Sequence, residues 1–143
     1  MNCLVVQTPA DAAALFSAAL PKVQKEERVF VLPLDAHGKV LAKPILVSVG
    51  HQDGTAVIDA GAIFREALKA GAEEIIVAHN HPSGDLTPSK ADIAATKELK
   101  DLASRLGVAL VDHIIIGSSS SADGIEFVSL AESERLDGIC GNP

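Results

Sequence analysis

A chain of 143 residues is long enough for one domain with a sizeable core, and its 48% of hydrophobic residues excludes a disordered tail. The net charge of −7 and the presence of only four aromatic residues, all Phe, argue against strong nucleic-acid binding. Such binding usually needs a basic patch and, for single strands, aromatic platforms. No run approaches the roughly 18 apolar residues of a membrane span.

The sequence shows neither the pattern of a signal peptide nor the number of cysteines typical of a disulfide framework. The first ten residues lack the basic and apolar regions of a signal peptide. Cys3 and Cys140, the two cysteines, lie at opposite ends of the chain. We therefore expect a cytoplasmic protein with reduced thiols.

In the first half of the chain, the pattern predicts two helices and a hairpin. Asn2 to Val6 is a candidate short strand. Thr8 and Pro9 are typical of a helix start, and that helix should reach about Leu20. The strands Val29 to Leu34 and Val40 to Val49 flank the turn residues 35–38, and Pro33 indicates an edge or a bulge. A second helix should begin after Asp59 and end at Gly71.

The second half predicts a strand, a helix and two more strands. Glu74 to Ala78 has the length and composition of a buried strand, and a loop rich in Gly and Pro follows. Ser89 should cap a helix that stops at Gly107. The last two predicted strands are Val108 to Ile116 and Ile125 to Leu130. This succession predicts an α/β (α+β) fold, with a mixed β-sheet flanked by helices, as a single domain over residues 1–143.

The segment from His79 to Asp92 carries the residues that favour a metal site. Residues two apart in an extended chain point to the same side, so His79 and His81 can present two imidazoles to one point. Asp92 would lie in the first turn of the next helix. Two nitrogen ligands and one carboxylate leave a fourth tetrahedral position open, which is the form of a catalytic zinc site. Such an ion activates water and polarises a carbonyl.

Each element of this motif also has a simpler interpretation. An isolated His-x-His pair is more often structural or on the surface, and Ser89-x-x-Asp92 is also a good capping box. The joint spacing favours the metal site. Ser89 could also donate a hydrogen bond to a developing oxyanion. The required base would be Glu26 or Glu27, and periodicity alone does not choose between them. His37, His51, Asp112 and His113 are interpreted as structural or surface residues.

The motif resembles a known family. His79-x-His81, seven residues and Ser89-x-x-Asp92 match the JAMM motif of JAB/MPN metalloprotease-like domains, and the string 79–84, His-Asn-His-Pro-Ser-Gly, is similar to the RadC branch. The segments 65–68 and 112–117 extend the resemblance, which covers roughly Glu26 to Leu130. It implies a cytidine-deaminase-like sheet, a Zn²⁺ ion held by His79, His81 and Asp92, and assistance from Ser89. It also implies a glutamate base, which counting back from Asp35 places at Glu27, with Glu26 as the alternative.

Two departures from the RadC pattern weaken its association with DNA repair. RadC proteins usually carry a helix-hairpin-helix segment, for which residues 1–23 are too short, and this chain is acidic. We therefore expect a peptide or protein substrate, no strong nucleic-acid binding and no membrane association.

The leading hypothesis is a zinc-dependent peptidase or isopeptidase, and the alternative is a catalytically idle binding or scaffold domain. A nuclease, prompted by the His-Asn-His string, lacks a basic surface. A zinc deaminase would need a Pro-Cys-x-x-Cys pair, which is absent.

Overall fold

The described residues form one mixed sheet of five strands with helices on both faces. The mixed sheet and its flanking helices agree with the sequence, which predicts one strand more. The computed structural model describes residues 4–50, 58–117 and 125–132. Within these ranges the elements, in chain order, are α1 (Pro9–Ala19), β1 (Arg28–Leu34), β2 (Ile45–Val49), α2 (Ala60–Lys69), β3 (Glu74–Asn80), α3 (Lys90–Leu106), β4 (Ala109–Ile116) and β5 (Phe127–Ser129). None of the described helices has the length and apolar character needed to cross a bilayer.

The sheet has the order β2-β1-β3-β4-β5, so β3 lies at its centre. β1 pairs antiparallel with both β2 and β3. β3 and β4 are parallel and joined through α3, because parallel neighbours need a crossover connection. β5 adds to β4 in the antiparallel direction. A central strand is covered on both faces, which explains the uninterrupted burial of residues 75–80.

The core has two layers, one on each face of the sheet. On one face, alternate residues of β1 and β3 such as Val31 and Val77 pack with Ile63 of α2 and Leu99 of α3. On the other face, the intervening strand residues pack with Phe16 of α1 and its neighbours. Odd-numbered residues of β3 therefore face α2 and α3, which is the side on which His79 lies.

The predicted helix ends are confirmed. Thr8 and Ser89 each accept a hydrogen bond from the backbone of the third helical residue, which carries an Asp in both helices. Asp59 caps α2 in the same way, through the Ala62 amide. At the other end of α3, Gly107 adopts a φ of 73°, a left-handed conformation that favours glycine.

Three strand predictions need correction. Residue 40 belongs only to an isolated bridge with Leu34, and β2 begins at Ile45, because the turn after β1 is followed by irregular chain. In the first predicted strand, Val5 makes only an isolated bridge with Lys39. β1 is not an edge strand, but Pro33 lies beyond the part paired with β2, and its carbonyl accepts from the Leu41 amide. The nitrogen of Pro33, which has no hydrogen to donate, therefore faces away from β3, so the pairing of β1 with β3 loses no hydrogen bond.

β3 extends two residues further than predicted, through His79 and Asn80, because both neighbouring strands continue to pair there. The pairing of β3 with β4 is irregular between Ile75 and Ile76, which pair with Leu110 and Asp112. Val111 is thus an extra residue in β4. Cys3, Cys140 and His51 lie outside the described residues.

Candidate metal centre

Four side chains converge on one point at the end of β3. Glu27, His79, His81 and Asp92 each offer a ligand atom, and these atoms all lie within 4.8 Å of one another. β3 carries His79, the chain just after β3 carries His81, and the first turn of α3 carries Asp92. Glu27 directly precedes β1, which pairs with β3 so that Val29 lies opposite His79.

The spacing of three of these groups suits a metal ion. His79 Nε2 lies 3.0 Å from His81 Nε2. The Asp92 carboxylate oxygens lie 3.3 Å from His79 Nε2 and 3.2 Å from His81 Nε2. Ligands about 2.0–2.1 Å from an ion at tetrahedral angles would be separated by about 3.3 Å. His79, His81 and Asp92 therefore have spacings close to those of groups that share one ion.

The ring of His81 is oriented by the loop that follows it. Its Nδ1 lies 2.7 Å from the carbonyl oxygen of Asp85. A carbonyl oxygen only accepts, so Nδ1 must donate, and in the neutral ring Nε2 keeps its lone pair. That lone pair is directed at the convergence point. In the metal-free protein, the hydrogen bond with Asp92 raises the pKa of the His81 imidazole.

Asp92 is held in place by the start of α3. Its carboxylate accepts from the Ser89 amide at 2.9 Å, while the Asp92 amide donates to the Ser89 hydroxyl oxygen at 3.0 Å. Burial alone would raise the pKa of Asp92, but hydrogen bonds with the two histidines outweigh it, so the pKa is lowered. The capping box and the candidate metal site therefore share one carboxylate.

Glu27 differs from the other three groups in its distance and environment. Its Oε1 lies 3.9 Å from His79 Nε2, further than the spacing among the other ligand atoms. Burial raises the pKa of the Glu27 carboxyl, and the nearby histidines only partly offset this. The adjacent Glu26 is half-exposed and forms an ion pair with Arg28 at 3.4 Å. Of the two glutamates, the structure brings Glu27 into the cluster.

Asn80, between the two histidines, fixes the backbone on both sides of Glu27. Its side-chain oxygen accepts from the Arg28 amide at 2.7 Å, and its side-chain nitrogen donates to the Glu26 carbonyl at 3.0 Å. The same nitrogen donates to the Gln24 side chain at 3.1 Å. The amide of Asn80 thereby continues the pairing of β1 with β3 and holds Glu27 beside the histidines.

Sequence reasoning did not include two residues that lie behind the site. The sequence favours a structural or surface role for His113. In the structure, its Nε2 lies 2.8 Å from His79 Nδ1, directly behind the cluster. Thr96 of α3 contacts His113 Nδ1 and donates to the Asp92 carbonyl at 2.8 Å. Both are fully buried, and burial lowers the pKa of the His113 imidazole well below its usual value. The four-residue spacing of Asp92 and Thr96 on one helix face was the available signal.

Comparisons with known proteins identify the family of this chain. The family described as RadC-like JAB domain matches residues 6–135. A UPF0758 protein of Clostridium perfringens is 37% identical over 131 residues, which cover 92% of this chain and 54% of the relative. A UPF0758 protein of Carboxydothermus hydrogenoformans is 46% identical over 113 residues, covering 79% of this chain and 46% of the relative.

The chain thus spans about half the length of the curated relatives that it matches. Its five-stranded mixed sheet with flanking helices is consistent with a JAB/MPN-like fold. From the extent of the family match and the identity to these relatives, this chain belongs to the RadC-like JAB domain family.

Proposed function

We propose that this domain is a zinc-dependent hydrolase of peptide or isopeptide bonds, with His79, His81 and Asp92 as the zinc ligands. The observation that carries the proposal is the presence of a second buried carboxylate, Glu27, beside three groups at tetrahedral spacing. Two imidazoles and one carboxylate are a ligand set used by catalytic zinc, with a position left for substrate or water. When bound, zinc would acidify a water molecule and polarise the scissile carbonyl.

Glu27 is the general base in this proposal. Its carboxylate lies close enough to the ligand atoms to accept a proton from the attacking water, and it is farther from His79 Nε2 than the other two proposed ligands are. The same carboxyl group can then deliver the proton to the leaving amine. Its burial favours the protonated form that this second step needs.

Ser89 is the proposed donor to the developing oxyanion. Its oxygen already accepts from the Asp92 amide, which leaves the hydroxyl hydrogen free to point toward substrate. A donor aimed at charge that develops in the transition state contributes more to the rate than to ground-state binding.

Metal analysis and peptide cleavage test the proposal together. Purified protein should bind about one zinc per chain, and His81→Ala should abolish this stoichiometric binding. His37→Ala is the matched control, since His37 lies in the exposed turn after β1. Cleavage of peptide and isopeptide libraries should require zinc and stop with a chelator. Zinc binding with no cleavage of either library would leave the idle binding domain as the function.

The Glu27→Gln variant distinguishes the role of the general base from that of the metal ligands. The variant should keep the metal and the fold but lose hydrolysis, because an amide cannot accept the proton. Glu26→Gln, the neighbouring glutamate in the ion pair with Arg28, should retain turnover. Full activity in Glu27→Gln would contradict the assignment, and loss in Glu26→Gln alone would move the base by one residue.

A further inference from the structure

Behind the candidate metal centre lies a buried line of polar groups to which the proposed function assigns no role. It runs from His79 through His113 to Thr96, and it returns to Asp92 through the Asp92 carbonyl. His113 and Thr96 have no exposed surface. The line therefore joins two proposed ligands, His79 and Asp92, by a route that is separate from the metal.

The direction of each hydrogen bond follows from the number of hydrogens. Thr96 has one hydroxyl hydrogen, and the Asp92 carbonyl can only accept it. The Thr96 oxygen therefore accepts from His113 Nδ1, which must carry hydrogen. A buried, neutral His113 then has a lone pair at Nε2, and this atom accepts from His79 Nδ1 at 2.8 Å.

This order of donors determines the state of His79. With hydrogen on Nδ1, the neutral ring of His79 has its lone pair on Nε2. That is the atom that faces His81 and Asp92. The opposite order would put hydrogen on Nε2 and prevent metal binding. Partners that orient ligand histidines in this way usually are carboxylates or carbonyls, whereas here the partner is a second histidine.

We propose that His113, oriented by Thr96, is a positioning residue that fixes the tautomer and the ring orientation of His79 for metal binding. The inference rests on the metal site of the proposed function but not on hydrolysis. The extra residue in β4, Val111, is the reason that His113 lies on the same face of the sheet as His79. Val108 and Leu110 face α2 and α3 before the irregularity, and His113 pairs with Val77 on that same face after it.

Nitrogen NMR of the histidine rings tests the tautomer directly in metal-free protein. At mildly alkaline pH, His79 and His113 should each carry hydrogen on Nδ1. In His113→Leu, His79 should shift toward the tautomer mixture of a free imidazole. A His79 ring without hydrogen on Nδ1 in the unmodified protein would overturn the proposal, whether or not the protein binds zinc.

Zinc competition against a chromophoric chelator gives the second measurement. His113→Leu should lower zinc affinity roughly 10–100-fold, as loss of such a partner typically does. His113→Gln should retain most of the zinc affinity of the unmodified protein, because the amide oxygen can accept from His79. Unchanged affinity in both variants would refute the inference, whereas no zinc binding in the unmodified protein would refute the proposed function.

Two further variants separate positioning from stability. Ile63→Ala removes a fully buried side chain of the same core layer, so it should lower the melting temperature without changing zinc affinity. Thr96→Val keeps the shape but removes the hydroxyl group. It should mix the tautomers of His113 and weaken zinc binding less than His113→Leu. If His113→Leu does not fold, unaltered tautomers and affinity in Thr96→Val would contradict the proposal.

Discussion

The Ser89 hydroxyl group caps α3 and is the proposed donor to the oxyanion, and these two roles can be measured separately. Its oxygen accepts from the Asp92 amide and so caps α3, as Thr8 does for α1. This contact uses a lone pair and leaves the hydrogen available. A helix cap affects the free energy of unfolding, whereas a donor to the oxyanion affects the rate per folded molecule.

Ser89→Ala should therefore lose about 1 kcal/mol of stability through the cap and about 10²-fold in turnover through the oxyanion. Thermal melting and the rate per zinc-loaded molecule give the two quantities. Thr8→Ala, in an equivalent capping box away from the site, is the control and should affect stability alone. Normal cleavage by a less stable Ser89→Ala protein would remove Ser89 from the catalytic residues.

At the scale of elements, the segment 24–28 depends on the end of β3. The register with β2 ends at Arg28, one further bond joins the Gly50 amide to the Glu27 carbonyl, and Asn80 supplies hydrogen bonds to the backbone on either side of Glu27. Glu27, the proposed base, is thereby positioned in part by an amide on the opposite side of β3 from the histidines. We therefore expect a mutation of Asn80 to disturb the position of Glu27 without disturbing the three proposed metal ligands.

Asn80→Ala should reduce turnover by about 10²-fold, the typical effect of misplacing a catalytic group by about 1 Å. Zinc stoichiometry should stay near one, because the ligands do not depend on this amide. Gln24→Ala removes one partner of Asn80 but leaves the backbone contacts, so it should behave like the unmodified protein. A parallel fall in zinc content and turnover would argue against a role in placing the base.

Much of the fold was predictable because local signals and tertiary structure agree. The caps Thr8, Asp59 and Ser89 and the stop at Gly107 depend on side-chain oxygens and backbone conformation within a few residues. The spacing of His79 and His81 likewise follows from the geometry of an extended chain. These features need no knowledge of distant parts of the chain.

The features that sequence reasoning missed depend on pairing between distant segments. Val108 and Leu110 face the helices, and simple alternation would then place Asp112 there. The extra residue, Val111, places His113 on that face instead. The position of Glu27 depends on contacts with Asn80, 52 to 54 residues away from the bonded backbone groups. The resemblance points to Glu27, which lies in the cluster, whereas periodicity does not choose between Glu26 and Glu27.

At the scale of the whole molecule, the acidic balance of the chain predicts its behaviour with nucleic acids. The net charge of −7 gives no general attraction for phosphates, and four Phe residues offer few stacking surfaces. We expect no retardation of duplex or single-stranded DNA at near-physiological salt, with or without zinc. Electrophoresis over a salt series tests this, and binding that persists at physiological salt would contradict it.

The separate origins of the ligands and the base have a consequence for the divergence of related proteins. All three proposed ligands lie within 14 consecutive residues, His79 to Asp92, whereas the base lies 52 residues before the first of them. Mutations near Glu27 can therefore abolish chemistry in a descendant that still binds its ion. Under the proposed function, the histidine motif marks metal binding in a related protein, and a glutamate anchored before β1 marks an enzyme.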